Sequence, residues 1–191
     1  MSALRDHGAE DWRPERGITG PTVCAHASFG PIRSDQTTGS MVSHLHPQHP
    51  THWVTGTAAP CTSLFKPVWL DAGLPDLGPD PDGTHNPAAL FWGHELLHRL
   101  TMKDYPNHIR LYQPERDQIE AGWADEALSL AGAPADQRRA FSSRAFQRDD
   151  EARQTWLKRL EGSHSQDYPG RLYRNAWQGI NRKAGFKTSL D

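Results

Sequence analysis

Residues 36–70 read QTTGSMVSHLHPQHPTHWVTGTAAPCTSLFKPVWL, and this stretch decides the fold class. Thr37 to Leu45, centred on Met41 and Val42, predicts one strand. His52 to Thr57, rich in β-branched and aromatic residues, predicts the next. Between them, His44-Leu45-His46-Pro47-Gln48-His49-Pro50-Thr51-His52 carries two prolines and two strand ends, the pattern of a hairpin connection. Ser63 to Leu70 predicts a further strand, broken or edged at Pro67 because proline has no N–H to give to a ladder. Strand, turn and strand in direct succession make an antiparallel meander.

Working outward, Thr22 to Ser28 fits a short strand bounded by Gly20-Pro21 and Gly30-Pro31. Residues 1–21 form a polar lead-in punctuated by Pro14, Gly17 and Gly20. On the other side, residues 71–86, DAGLPDLGPDPDGTHN, are a proline, glycine and aspartate loop that marks a change of architecture. Beyond it the apolar period becomes helical. Leu90, Trp92, Leu96, Leu97 and Leu100 suit one helix, with Asn86 as its cap and Pro87 at its first position. Ile109, Tyr112, Ile119 and Trp123 mark a second helical pattern, kinked or restarted at Pro114. A third runs from about Asp136 to Glu161, and the last from Arg171 to Ala184. Strands first and helices afterwards give an α+β chain. Residues 1–191 are expected to be a single partial domain: lead-in, a β region over 22–70, the loop over 71–86, and a helical region over 87–191.

The 191 residues carry 21 Lys and Arg against 23 Asp and Glu, a net charge of −2. That balance argues against nucleic acid as a partner. No apolar run approaches the roughly 18 residues that suggest a membrane span. The opening MSALRDHGAEDWRPERG is charged and lacks an apolar stretch, so no secretory signal is expected and the expected setting is cytoplasmic. The two cysteines, Cys24 and Cys61, are expected to be reduced and buried. Cys24 and His26, two apart on a strand, share a face and are able to touch.

His94-Glu95-Leu96-Leu97-His98 is a literal HExxH. On a helix its two imidazoles share one face, Glu95 can activate a metal-bound water, and Glu120 or Glu126 stands at a distance suited to a third ligand. A zinc metallopeptidase is therefore one reading. The competing one places Leu96, Leu97 and Leu100 toward the core and pairs Glu95 with Arg99 at i,i+4. The histidine-rich 44–52 stretch is a second place where metal could gather, read here as a hairpin that binds metal weakly.

The segments TVCAH, QTTGSMVS, HWVTGTAAPCTS and FKPV, in that order, resemble the C-terminal half of the secernin and cysteine dipeptidase family. LRDHG near the start and WGHELLHR in the first long helix are similar to it as well. The resemblance is strongest over residues 20–70 and weaker over 86–126. It implies an αββα sandwich of the N-terminal-nucleophile hydrolase type, distantly like penicillin V acylase and bile-salt hydrolase. The implied reaction is hydrolysis of a peptide or amide bond by an N-terminal Cys whose own α-amino group is the base.

Cys24 and Cys61 are internal, and Ser2 opens a charged segment rather than a strand. The resemblance thus implies a nucleophile supplied from elsewhere and a chain inactive alone, with no cofactor and no resident metal. It places Gln36, Thr38 and Ser40 on one strand face near the cleft, and Arg33 as a grip for a substrate carboxylate. In that setting His94, Glu95 and His98 are structural or solvent-facing. The implied partners are a peptide or amide substrate and an N-terminal half, or a second copy, joined through an open sheet edge. A non-enzymatic scaffold or interaction module stands as the other class.

Overall fold

The computed structural model of the chain describes residues 1–16, 22–29 and 33–186. The expected strand boundaries Gly20-Pro21 and Gly30-Pro31 lie outside the described residues, as do Gly17 and the chain end from 187. The fold is α+β: an antiparallel sheet of three strands, β1 (Met41–His44), β2 (Thr51–Val54) and β3 (Lys66–Val68), in the order β1-β2-β3. Met41 faces Val54 across the first pair, and His52 faces Val68 across the second. The histidine and proline stretch is the hairpin between β1 and β2.

Among the described residues five α-helices follow: α1 (Leu90–Met102), the single turn α2 (Tyr105–His108), α3 (Gln113–Ser129), α4 (Ala135–Glu161) and α5 (Arg171–Lys183). Pro114 sits in the first turn of α3, where its missing N–H costs nothing, so it restarts the helix rather than kinking it. α1 starts later than the Asn86-Pro87 pattern predicts. The Asn86 side chain accepts the N–H of Ala88 at 3.0 Å and so caps a turn, and the helix itself begins at Leu90.

The strand expectations need correction too, and the one from Ser63 to Leu70 narrows to Lys66–Val68. Thr22–Ser28 is not a regular strand, although it is extended and tied on both sides: Cys24 N–H donates to Asp6 O, and Thr37 N–H to Ala25 O, both at 3.0 Å. The expected strand from Thr37 to Leu45 shortens to Met41–His44, so Gln36, Thr38 and Ser40 lie outside any strand. The backbone there is spent on side-chain partners, as when Ser40 N–H donates to Thr55 Oγ1 at 2.9 Å.

The core lies between the sheet and the helices. Trp53, Leu64, Phe65 and Trp69 meet Leu97, Tyr112, Trp123, Phe141 and Trp156. The aromatics offset an apolar fraction of only 36%, because each buries a large area. Into this core the fold also sinks an ionic group. The Lys66 ammonium is fully buried, 3.3 Å from Asp149 Oδ2, and the same oxygen lies 2.8 Å from His94 Nε2. Lys66 donates as well to Leu64 O at 3.0 Å and stands over the Phe146 ring.

A candidate site of converging histidines and cysteines

Four side chains from three separate stretches of the sequence meet in one place. Cys24 and His26 project from one face of the extended 22–29 segment, as i and i+2 must. Cys61 stands in a single 3-10 turn, Pro60–Thr62, after β2. That turn is clamped by Arg5, whose Nε donates to Pro60 O at 2.8 Å, and by Arg116, whose guanidinium donates to Cys61 O. His7 comes from the lead-in, at the centre of a turn in which Asp6 Oδ1 accepts Gly8 N–H at 2.7 Å. Its ring stacks on Trp12 with centroids 3.9 Å apart.

His26 Nε2 is the meeting point. It lies 3.0 Å from His7 Nε2, 3.3 Å from Cys24 Sγ and 3.4 Å from Cys61 Sγ. The four ligand-type atoms all lie within 4.8 Å of one another, the one such group among the described residues. Cys24 and His26 are 0 % exposed and Cys61 is 2 % exposed, while His7 is half-buried. Both cysteines are free, as expected.

A second layer surrounds them. His26 Nδ1 lies 3.0 Å from His98 Nε2, and His98 Nδ1 is 3.6 Å from Glu95 Oε2. Glu95 accepts from Arg99 Nε at 2.9 Å and from Gln36 Nε2 at 3.1 and 3.0 Å. Arg99 continues to Asn181 Oδ1 at 2.6 Å and lies against the rings of Phe186 and Trp177. Tyr105 closes the other side, its hydroxyl 3.4 Å from His7 Nδ1.

Electrostatics follow from this burial. Burial holds the His26 imidazole neutral, lowering its pKa to about 4. The hydrogen bond from Cys61 favours the thiolate at Cys24 against the opposing effect of burial. Burial and the neighbouring Cys24 push the Cys61 thiol up. Burial would raise the Glu95 carboxyl, but His98, Arg99 and Gln36 outweigh it and keep the group ionised.

The residues singled out in the sequence do not all come together. Glu95, His98 and Gln36 belong to the layer around the cysteines, and the expected Glu95–Arg99 pair forms. His94, Glu95 and His98 are all buried, so none of the three faces solvent. The HExxH imidazoles do not converge: His94 turns to Asp149 and His98 to His26. Glu120 is elsewhere, accepting from Arg5 at 2.8 and 2.5 Å and from Phe65 N–H at 2.7 Å, while Glu126 pairs with Arg144.

Arg33 is buried and donates to the carbonyls of Arg16 and His26, both at 2.9 Å. Its guanidinium ties the lead-in to the 22–29 segment. Thr38 is exposed and Ser40 partly so.

Sequence reasoning did not find the four-residue group. The separations 7, 24, 26 and 61 follow no short ligand pattern, and only the Cys24–His26 pairing was readable as a contact. Chemically the group offers two things: a thiol beside an imidazole, closed to substrate by its burial, and four borderline-soft donors around one point. Comparison of the chain with protein-family models, curated proteins and solved structures returns no match.

Proposed function

We propose that this chain is the sheet-and-helix portion of a secernin-like amide hydrolase that cleaves dipeptides or related small amides. One observation carries the reading. The segments that resemble the family, LRDHG, TVCAH, QTTGSMVS, HWVTGTAAPCTS and WGHELLHR, lie far apart in sequence, yet they supply His7, Cys24 and His26, Gln36, Cys61, and Glu95, His98 and Arg99 to one connected buried cluster. Words shared with a family are expected to be those its fold spends on a site, rather than those spread along a surface.

In this reading the nucleophile is a cysteine at the N-terminus of a segment outside residues 1–191. Its thiolate adds to the amide carbon, its α-amino group takes the thiol proton and passes it to the leaving amine, and water then cleaves the thioester. Cys24 does not take that role, since a fully buried sulfur offers no approach to a substrate carbonyl. Exposed Thr38 and partly exposed Ser40 are the polar groups from the candidate set left facing outward for substrate. Gln36 and Arg33 hold the loop that presents them. The β1 edge, with Met41 62 % exposed, is the side on which a sheet from the front half would add.

The test is dipeptide hydrolysis by the protein isolated from its own cells, followed by iodoacetamide and mass mapping. Activity lost as an N-terminal cysteine outside these residues is alkylated supports the reading. Activity that resists alkylation, or no hydrolysis across a dipeptide panel, overturns it.

A further inference from the structure

We propose that His7, Cys24, His26 and Cys61 hold one Zn2+ in a closed, tetrahedral Cys2His2 site whose role is to staple the N-terminal lead-in to the β region. The inference stands on geometry alone and goes beyond the hydrolase reading.

Hydrogen bonding by itself does not satisfy this cluster. His26 Nε2 faces His7 Nε2 at 3.0 Å, Cys24 Sγ at 3.3 Å and Cys61 Sγ at 3.4 Å. A ring nitrogen has either one proton or one lone pair, so at most one of those three contacts is a good hydrogen bond. The others leave polar atoms pressed together where water does not reach, an expensive arrangement. One cation bonded to all four atoms removes the conflict.

The spacing also suits zinc. With Zn–S near 2.3 Å and Zn–N about 2.0–2.1 Å, neighbouring donors of a tetrahedron stand about 3.3–3.8 Å apart. The contacts at His26 need only a small outward movement to reach that range. The donor set contains no carboxylate, which disfavours calcium and magnesium, and two thiolates with two neutral imidazoles balance a divalent charge.

Both imidazoles also have a partner for the second ring nitrogen, here an imidazole and a phenol hydroxyl in the place that carboxylates, carbonyls or waters fill behind most ligating histidines. His26 Nδ1–H is placed to donate to His98 Nε2 at 3.0 Å, with Glu95 behind it, and His7 Nδ1–H to the Tyr105 hydroxyl at 3.4 Å. The side of access is His7, which lines an open depression with Trp12 and Tyr105.

The site's place in the fold explains its use. Residues 1–16 and 22–29 contain no regular element except the 3-10 turn Ser2–Arg5. Ligands at 7, 24 and 26 anchor both segments to Cys61 after β2. All four positions are filled by protein, which is the pattern of a structural site rather than a catalytic one.

The experiment is metal analysis of the untagged protein after dialysis against metal-free buffer, with cobalt substitution as the optical readout. Stoichiometric zinc is expected, together with thiolate-to-cobalt charge transfer on exchange and thiols that alkylate only after chelation. Cys24→Ser and Cys61→Ser should each lose the charge-transfer intensity in part. Because those variants risk misfolding, His7→Gln, which changes the half-buried ligand, should fold, bind zinc at least tenfold more weakly and expose the thiols. His49→Gln in the hairpin should change nothing.

Zinc-free protein with freely reactive thiols, a Cys24–Cys61 disulfide, copper in place of zinc, or zinc that persists in His7→Gln and leaves with His94→Ala would overturn the assignment. None of these readouts depends on amide hydrolysis, so failure of the metal site and failure of the hydrolase reading are separable.

Discussion

His26 Nδ1 and His98 Nε2 face each other at 3.0 Å inside the protein, 72 residues apart in sequence, with the rings inclined by only 21°. The contact joins the extended 22–29 segment to α1 and explains why His98 of the HExxH pattern is buried. It serves another imidazole rather than sharing a metal with His94.

Removing that partner tests the relationship. His98→Ala leaves His26 Nδ1 without a partner in a dry site and is expected to cost about 1–3 kcal/mol. His98→Gln, which restores a polar atom near the same position, should recover part of the loss. Urea unfolding of the three proteins measures both, and equal stability of His98→Ala and wild type would show that the contact contributes nothing.

The buried Lys66–Asp149–His94 group predicts a large effect from a small change. Asp149→Asn leaves the Lys66 ammonium buried without its counter-charge, a loss of roughly 3–5 kcal/mol. Lys66→Met on its own should be similarly costly, while the double variant should lose less than the sum of the two. Denaturant midpoints of the single and double variants decide it.

The same group fixes a pH dependence. Burial would raise the Asp149 carboxyl, but His94 and Lys66 outweigh it and bring the pKa down to about 2, from an ordinary value of 3.8. A folded-state pKa below the unfolded value contributes stability above about pH 4 that is lost as pH falls toward 2, about 2 kcal/mol in all. His94 adds loss in the same direction at higher pH, because burial lowers its pKa and the unfolded chain takes up the proton first. Thermal midpoints should therefore fall on acidification below about pH 6.5, and Asp149→Asn should flatten the part below pH 4.

Glu120 holds the lead-in from a different side. Its carboxylate takes two bonds from Arg5 and one from Phe65 N–H, and Arg5 in turn grips the carbonyls of Pro60 and Ser63. Glu120→Ala should cost about 3 kcal/mol and make residues 1–16 the first site of limited proteolysis. An unchanged cleavage pattern would mean that contacts other than Glu120 hold the lead-in.

Gly56 turns the chain out of β2 toward Cys61 with φ at +60°, and a Cβ added there would meet nothing within 4 Å. The cost of Gly56→Ala is thus purely conformational, about 1–2 kcal/mol. Gly56→Asn, which tolerates this region better, should cost less. A loss well above that in thermal denaturation would point to a contact beyond the backbone.

Much of the architecture was readable because it is written in local periodicity. α4 and α5 fall within a residue of the expected bounds at each end, Pro114 restarts a helix, and the proline-bearing histidine stretch is a hairpin. The expected αββα sandwich extends beyond what three strands and five helices decide. Strand ends were misread at Thr22–Ser28 and Thr37–Ser40, where the backbone finds partners in Asp6, Ala25, Thr37 and Thr55 instead of a continuous ladder. Such partners lie outside any window of neighbours.

The sequence by itself determined the α+β order, the antiparallel meander, the spans of α4 and α5 and the i,i+4 pairing of Glu95 with Arg99, because each depends on residues a few positions apart. Only the tertiary structure decided that His94 and His98 part company, that Arg33 ties the lead-in to the 22–29 segment, and that His7, Cys24, His26 and Cys61 share one point. Those facts depend on how the lead-in, the 22–29 segment, the turn after β2 and α1 are placed in space, and no periodicity encodes that placement.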